Sequence, residues 1–74
     1  MGYAAGVTEI LEPYIGGVNA DTCVRGTALS LGKTSDELDT GDLGAIEARV
    51  RRALAPLVPG ATLTRIIEQI GEVR

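Results

Sequence analysis

The chain contains no histidine, phenylalanine or tryptophan, one cysteine, Cys23, and tyrosine only at Tyr3 and Tyr14. Each absence closes a route. With one thiol and no imidazole, neither a zinc-type ligand set nor an intramolecular disulfide framework can be assembled. The commonest general base is missing, no glycine loop of the phosphate-cradling kind is present, and no pair of carboxylates stands in a cleft context, so the chain is not expected to be an enzyme or to hold a cofactor. No apolar run approaches the roughly 18 residues of a membrane span. The start, MGYAAGVTEIL, lacks a basic segment and carries Glu9. Neither secretion nor membrane insertion is expected, and a reducing, cytoplasmic setting suits the lone thiol.

The shortage of aromatics also bears on stability. In a chain of 74 residues, burial must come from Leu, Ile and Val at about 1.5–3 kcal/mol for each fully buried side chain. Small domains bury only about 60% of their unfolded surface. A core of this kind leans toward support from self-association or from a larger protein partner. The net charge is −3, whereas duplex binding needs a basic face to neutralise phosphates, which argues against nucleic acid as a partner.

What the chain does have is helical periodicity. Tyr3, Val7, Ile10 and Tyr14, with Leu11 beside them, repeat at alternating steps of four and three, the pattern of an amphipathic helix. Pro13 is expected to kink or stop that helix, and Gly16-Gly17 to close it. Asn19 or Asp21 is expected to cap a second helix with Ala20, Val24, Thr27 and Leu31 inward, Ala28 beside them, Leu29 exposed and Gly32 closing it. Thr34 with Glu37 has the reciprocal form of a capping box, which Leu38 could anchor to the core. Thr40 is then expected to cap a third helix built on Leu43, Ile46, Val50, Ala53 and Leu57, with Leu54 alongside. Asp39 and Asp42 sit at its positive end, and Glu47 and Arg51 are spaced as an ion pair. Pro56 and Pro59-Gly60 end that helix. A fourth carries Leu63, Ile66, Ile70 and Val73, with Ile67 flanking, and is expected to fill the groove between the first and third.

Three patterns suggest chemistry. Asp36, Gly41, Leu43 and Glu47 fall at the first, sixth, eighth and twelfth places of a calcium-binding loop, but its third and fifth places hold Leu38 and Thr40, so no metal site is expected. Cys23, near the expected start of the second helix, has no histidine to activate it and is expected to be a small buried hydrophobe. Arg49, Arg51 and Arg52 form a basic cluster, with Arg49 and Arg52 expected on the outer face of the third helix. In length, acidity and four-helix form the chain resembles acyl and peptidyl carrier proteins. That resemblance implies a serine in an Asp-Ser-Leu context at the start of the second long helix, where this chain has only Asp42-Leu43.

The expectation is an all-α fold, a small bundle of three main helices plus a shorter C-terminal helix, with residues 1–74 forming a single helical domain. Its expected role is a non-catalytic protein–protein interaction module, as a homo-oligomer or a small accessory subunit, with Arg25, Leu29, Arg49 and Arg52 contacting the partner. The alternative is a helical nucleic-acid-binding regulator using Arg49, Arg52 and Arg25; a lesser one is a carrier-like fold lacking the modification serine.

Overall fold

The chain makes its first reversal at a single residue. Gly16, at φ 83° and ψ 159°, occupies a backbone region open essentially to glycine alone. It joins α1 (Tyr3–Ile15) directly to α2 (Gly17–Ser30). The computed structural model describes residues 2–73. Two single 3₁₀ turns, Ser35–Glu37 and Thr40–Asp42, then lead into α3 (Leu43–Leu54) and α4 (Gly60–Gly71), and no strand occurs among the described residues. The fold is all-α, as the periodicity implies.

Pro13 neither stops α1 nor shortens it, because the helix continues to Ile15. Pro13 supplies no amide to the carbonyl of Glu9, but both residues lie on the exposed side, where the freed carbonyl is open to solvent. Tyr14, placed inward by the spacing, is exposed.

Neither Asn19 nor Asp21 caps α2. Gly16 occupies the cap position, its carbonyl accepting from the amide of Ala20 at 2.9 Å. Asn19 instead donates its side-chain amide to the carbonyl of Ile15 at 3.0 Å and so serves the end of α1. Ala20, Cys23, Val24, Thr27 and Ala28 are buried, and the Thr27 hydroxyl is satisfied by the Cys23 carbonyl at 3.0 Å. Leu31 falls just past the helix and is exposed. Gly32, at φ 72°, closes α2 as expected. The amide of Lys33 reaches the carbonyl of Ala28 at 2.9 Å and that of Gly32 reaches Leu29 at 3.1 Å, the paired bonds of a Schellman ending.

The Thr34–Glu37 capping box forms. The Glu37 carboxylate accepts from the Thr34 amide at 2.8 Å and from its hydroxyl at 3.1 Å, and Leu38 is buried behind it. Thr40 does not cap α3, whose cap position falls at Asp42 without a side-chain bond; Asp39 caps the 3₁₀ turn that precedes it. Asp39 accepts from the Gly41 amide at 2.8 Å, and Asp42 reaches back to the Asp39 amide at 3.1 Å. A carboxylate one residue earlier offers a stronger acceptor than the threonine hydroxyl. Asp42 also receives the Lys33 ammonium, at 3.0 and 2.8 Å from its two oxygens.

These bonds carry a pH dependence. The hydrogen bond from Lys33, and then that from the Asp39 amide, holds the Asp42 carboxyl below its ordinary range. The Thr34 amide, and then the Thr34 hydroxyl, does the same for Glu37. A depressed carboxyl contributes stability that is complete above its unfolded-state value, about pH 4, and is lost as the pH falls through its folded-state value. The urea midpoint is therefore expected to stay level from pH 6 to 8 and to drop below about pH 4. Asp42→Asn should flatten that drop; an unchanged acid limb would show that other groups set it.

Ile46, Val50 and Leu54 form the buried stripe of α3, and Leu63, Ile66, Ile67 and Ile70 that of α4. Helix α1 packs most extensively on α2, α2 packs on α3, and α4 lies against both α1 and α3, the place expected for it. The end of that last contact depends on Gly6, where an added Cβ would stand 2.8 Å from Cγ1 of Val73. Ala53 and Leu57 are exposed, contrary to the periodic stripe, and Glu47 and Arg51 form no ion pair.

Tyr3 is 8% exposed, and its hydroxyl has no hydrogen-bond partner among the described residues. An unsatisfied buried hydroxyl costs about 1–3 kcal/mol. Tyr3→Phe is accordingly expected to retain the fold and raise stability by about 1 kcal/mol, read as a thermal midpoint about 4–8 °C higher. A lowered midpoint would mean that the hydroxyl is bonded.

Candidate functional site

Among the described residues, the hydrogen bonds of Glu37, Asp39 and Asp42 are to caps and to Lys33, and no group of three or more Cys, Asp or Glu side chains is placed to hold a metal ion. The feature that stands out lies on the far side of α2. A groove of about 280 Å³ runs between α2 and α3, lined by Ile15, Asn19, Thr22, Cys23, Arg49, Ala53 and Leu57.

Arg49 does not share an outer face with Arg52. Its side chain is half-buried and turned toward α2, so that a Cβ built on Gly26 would stand 2.5 Å from its Nη2 and 3.1 Å from its Cζ. Gly26 is an ordinary helical residue, without a positive φ. Its lack of a side chain leaves the space that the guanidinium occupies. Position 49 lies at the border between the buried and solvent faces of α3, where a long cationic side chain can lay its stem on an apolar surface and keep its head at the opening.

Cys23 lies well inside α2 and away from its N-terminus. Burial pushes its thiol up, while the nearby charge of Arg49 pulls the other way by less. The thiol is thus kept protonated and lacks the setting of an activated nucleophile.

The other sequence-selected residues are arranged differently. Arg25 is exposed and paired with Asp21 one turn earlier on α2. Leu29 is 71% exposed, and Arg52 is exposed outside the groove lining. Val18, at 81% exposure, shares an edge of α2 with Thr22 and Leu29, and Leu57, at 66%, stands across from it beyond the end of α3. Spacing alone did not single out Val18, Thr22, Gly26 or Leu57 for a site, and Gly26 did not stand apart from the glycines within the other helices.

A second hollow, of about 390 Å³, has the opposite electrostatic sign, with Glu9, Asp21 and Asp36 among its lining residues. Among the described residues that line the first, Arg49 is the one that is charged and none carries a carboxylate. Comparisons with protein-family models, curated proteins and solved structures find no match to the chain.

Proposed function

We propose that the chain is a non-catalytic protein-interaction module that docks its partner on the face formed by α2 and the C-terminal half of α3, in a complex where it serves as a small accessory subunit. The observation that carries this reading is the groove between α2 and α3, where the half-buried Arg49 stands among Ile15, Ala53 and the 66% exposed Leu57. Arginine beside apolar groups is typical of the residues that dominate binding energy at protein interfaces.

The same geometry favours protein over nucleic acid. Arg25 is engaged by Asp21, and Arg49 lies in a groove walled by Ile15, Ala53 and Leu57 rather than on a convex basic surface. A reducing, cytoplasmic location agrees with a buried, unpaired Cys23.

A photo-crosslinking amino acid placed at Thr22, on the docking face, should form a discrete adduct with another polypeptide in the native host. The same group at Gln69, exposed on α4, should not. Equal labelling from both positions, or no adduct from Thr22, would contradict the reading.

A further inference from the structure

We infer that the α2–α3 groove receives an acidic segment of another protein, with an Asp or Glu carboxylate paired to Arg49 and a neighbouring aliphatic side chain seated against Ile15, Ala53 and Leu57. This inference rests on the docking face proposed above and adds the chemistry of what binds there.

Charge carries the first part of the argument. The chain has 10 acidic residues, yet the two ion pairs formed among the described residues, Arg25–Asp21 and Lys33–Asp42, leave Arg49 without a carboxylate. Among the described residues, no acidic side chain lines its groove. A planar guanidinium presents a fork of N–H donors that matches a carboxylate, and such charge-assisted bonds strengthen where water is partly excluded.

Gly26 is an independent observation. Glycine in a helix interior is unfavourable relative to alanine, and no unusual backbone angle requires it here. Its missing side chain is what admits the Arg49 guanidinium against α2. The arginine is thereby held at the groove instead of being released to solvent, which lowers the ordering cost of binding.

A second copy of the chain is a poorer occupant. The acidic hollow is the complementary surface it offers, but Asp21 there is already paired with Arg25. Joining one groove to the other would also be a head-to-tail contact that closes only for particular rotations.

The test uses the intact chain as bait for a random dodecapeptide library displayed on phage, followed by affinity measurement on synthetic copies of the selected peptides. Selected peptides are expected to share an Asp or Glu at a fixed spacing from an aliphatic residue. Arg49→Gln should weaken them at least tenfold, whereas Arg52→Gln should leave affinity unchanged. Gly26→Ala separates the site from the fold: it should hold or raise the thermal midpoint yet weaken binding severalfold by displacing the guanidinium. Peptides without an acid, or indifferent to Arg49→Gln, would overturn the carboxylate assignment, and the docking face would survive only if Thr22 still gave its adduct. A dimer in sedimentation equilibrium that Arg49→Gln dissociates, or a duplex oligonucleotide that competes for Arg49, would overturn it in favour of those occupants. Failure to select any peptide, with no Thr22 adduct, would overturn the inference and the docking face together.

Discussion

Leu54→Ala is expected to remove about 2–5 kcal/mol of stability, whereas Leu57→Ala, three residues on, is expected to change it by no more than about 0.5 kcal/mol. Both are leucines near the end of α3, and helical spacing from Leu43, Ile46, Val50 and Ala53 assigns the inward place to Leu57. The structure buries Leu54, which flanks that stripe, at 0% exposure and turns Leu57 out at 66%. The reason is that α3 stops at Leu54. The amides of Leu57 and Val58 both turn back to the Leu54 carbonyl, at 2.8 and 3.0 Å, so beyond that point the helical angle no longer decides which side chain faces in. Pro56 has no amide with which to continue the ladder. Truncating Leu54 leaves a cavity in a core that has no Phe or Trp to collapse into it, and in a domain of this size a loss of about 2 kcal/mol lowers the thermal midpoint by about 10 °C or more. Chemical denaturation of the two variants side by side is the check. Equal effects, or a greater loss from Leu57→Ala, would mean that the end of α3 is packed differently.

The second large effect is expected at Gly16. Gly16→Ala meets no atom within 4 Å, so crowding cannot cause its cost, yet it should destabilise by about 1–3 kcal/mol. The penalty is torsional, since φ 83° with ψ 159° brings a Cβ into conflict with its own backbone. The reduced freedom of the unfolded chain returns only about 0.4–1 kcal/mol of this. Because the same residue ends α1 and caps α2, relaxing it would tilt two helices whose mutual packing is the most extensive in the bundle. The control is Gly44→Ala, in the helical run of α3, where an added Cβ also meets nothing and helix propensity predicts a gain of up to about 1 kcal/mol. Matching losses at both sites would deny Gly16 its special role.

The helices themselves follow from periodicity, because three-and-four spacing records which face of a long segment is apolar. The helix ends do not, because an end depends on local acceptor geometry that several neighbouring residues can satisfy. Asn19 and Asp21 had the right chemistry for a cap, but Gly16 could both reverse the chain and begin the next helix, leaving Asn19 to serve α1. Thr40 was drawn instead into a 3₁₀ turn capped by Asp39, which moved the start of α3 to Leu43. The Thr34–Glu37 box and the Gly32 ending were readable because each is a reciprocal or backbone-specific device with few competitors. Arg49 was visible as a cation, but its direction was not: position 49 borders two faces, and the space that draws it inward exists only because Gly26, 23 positions earlier, comes to lie opposite. Ile15, Thr22 and Leu57 belong to three separate segments of the pattern and line one groove only after the α1–α2 reversal and the stop at Leu54.

The most direct measurement of the central claim, that partners engage the α2–α3 groove through Arg49, is a nitrogen-15 amide titration of the intact chain with the tightest selected acidic peptide. Saturable shifts are expected at Asn19, Thr22, Cys23, Gly26, Arg49, Ala53 and Leu57, and their loss in Arg49→Gln, with the amides of Leu63, Ile66 and Gln69 on α4 unmoved. Shifts centred on the Glu9–Asp36 hollow or on α4, or shifts that persist without the Arg49 guanidinium, would contradict the account.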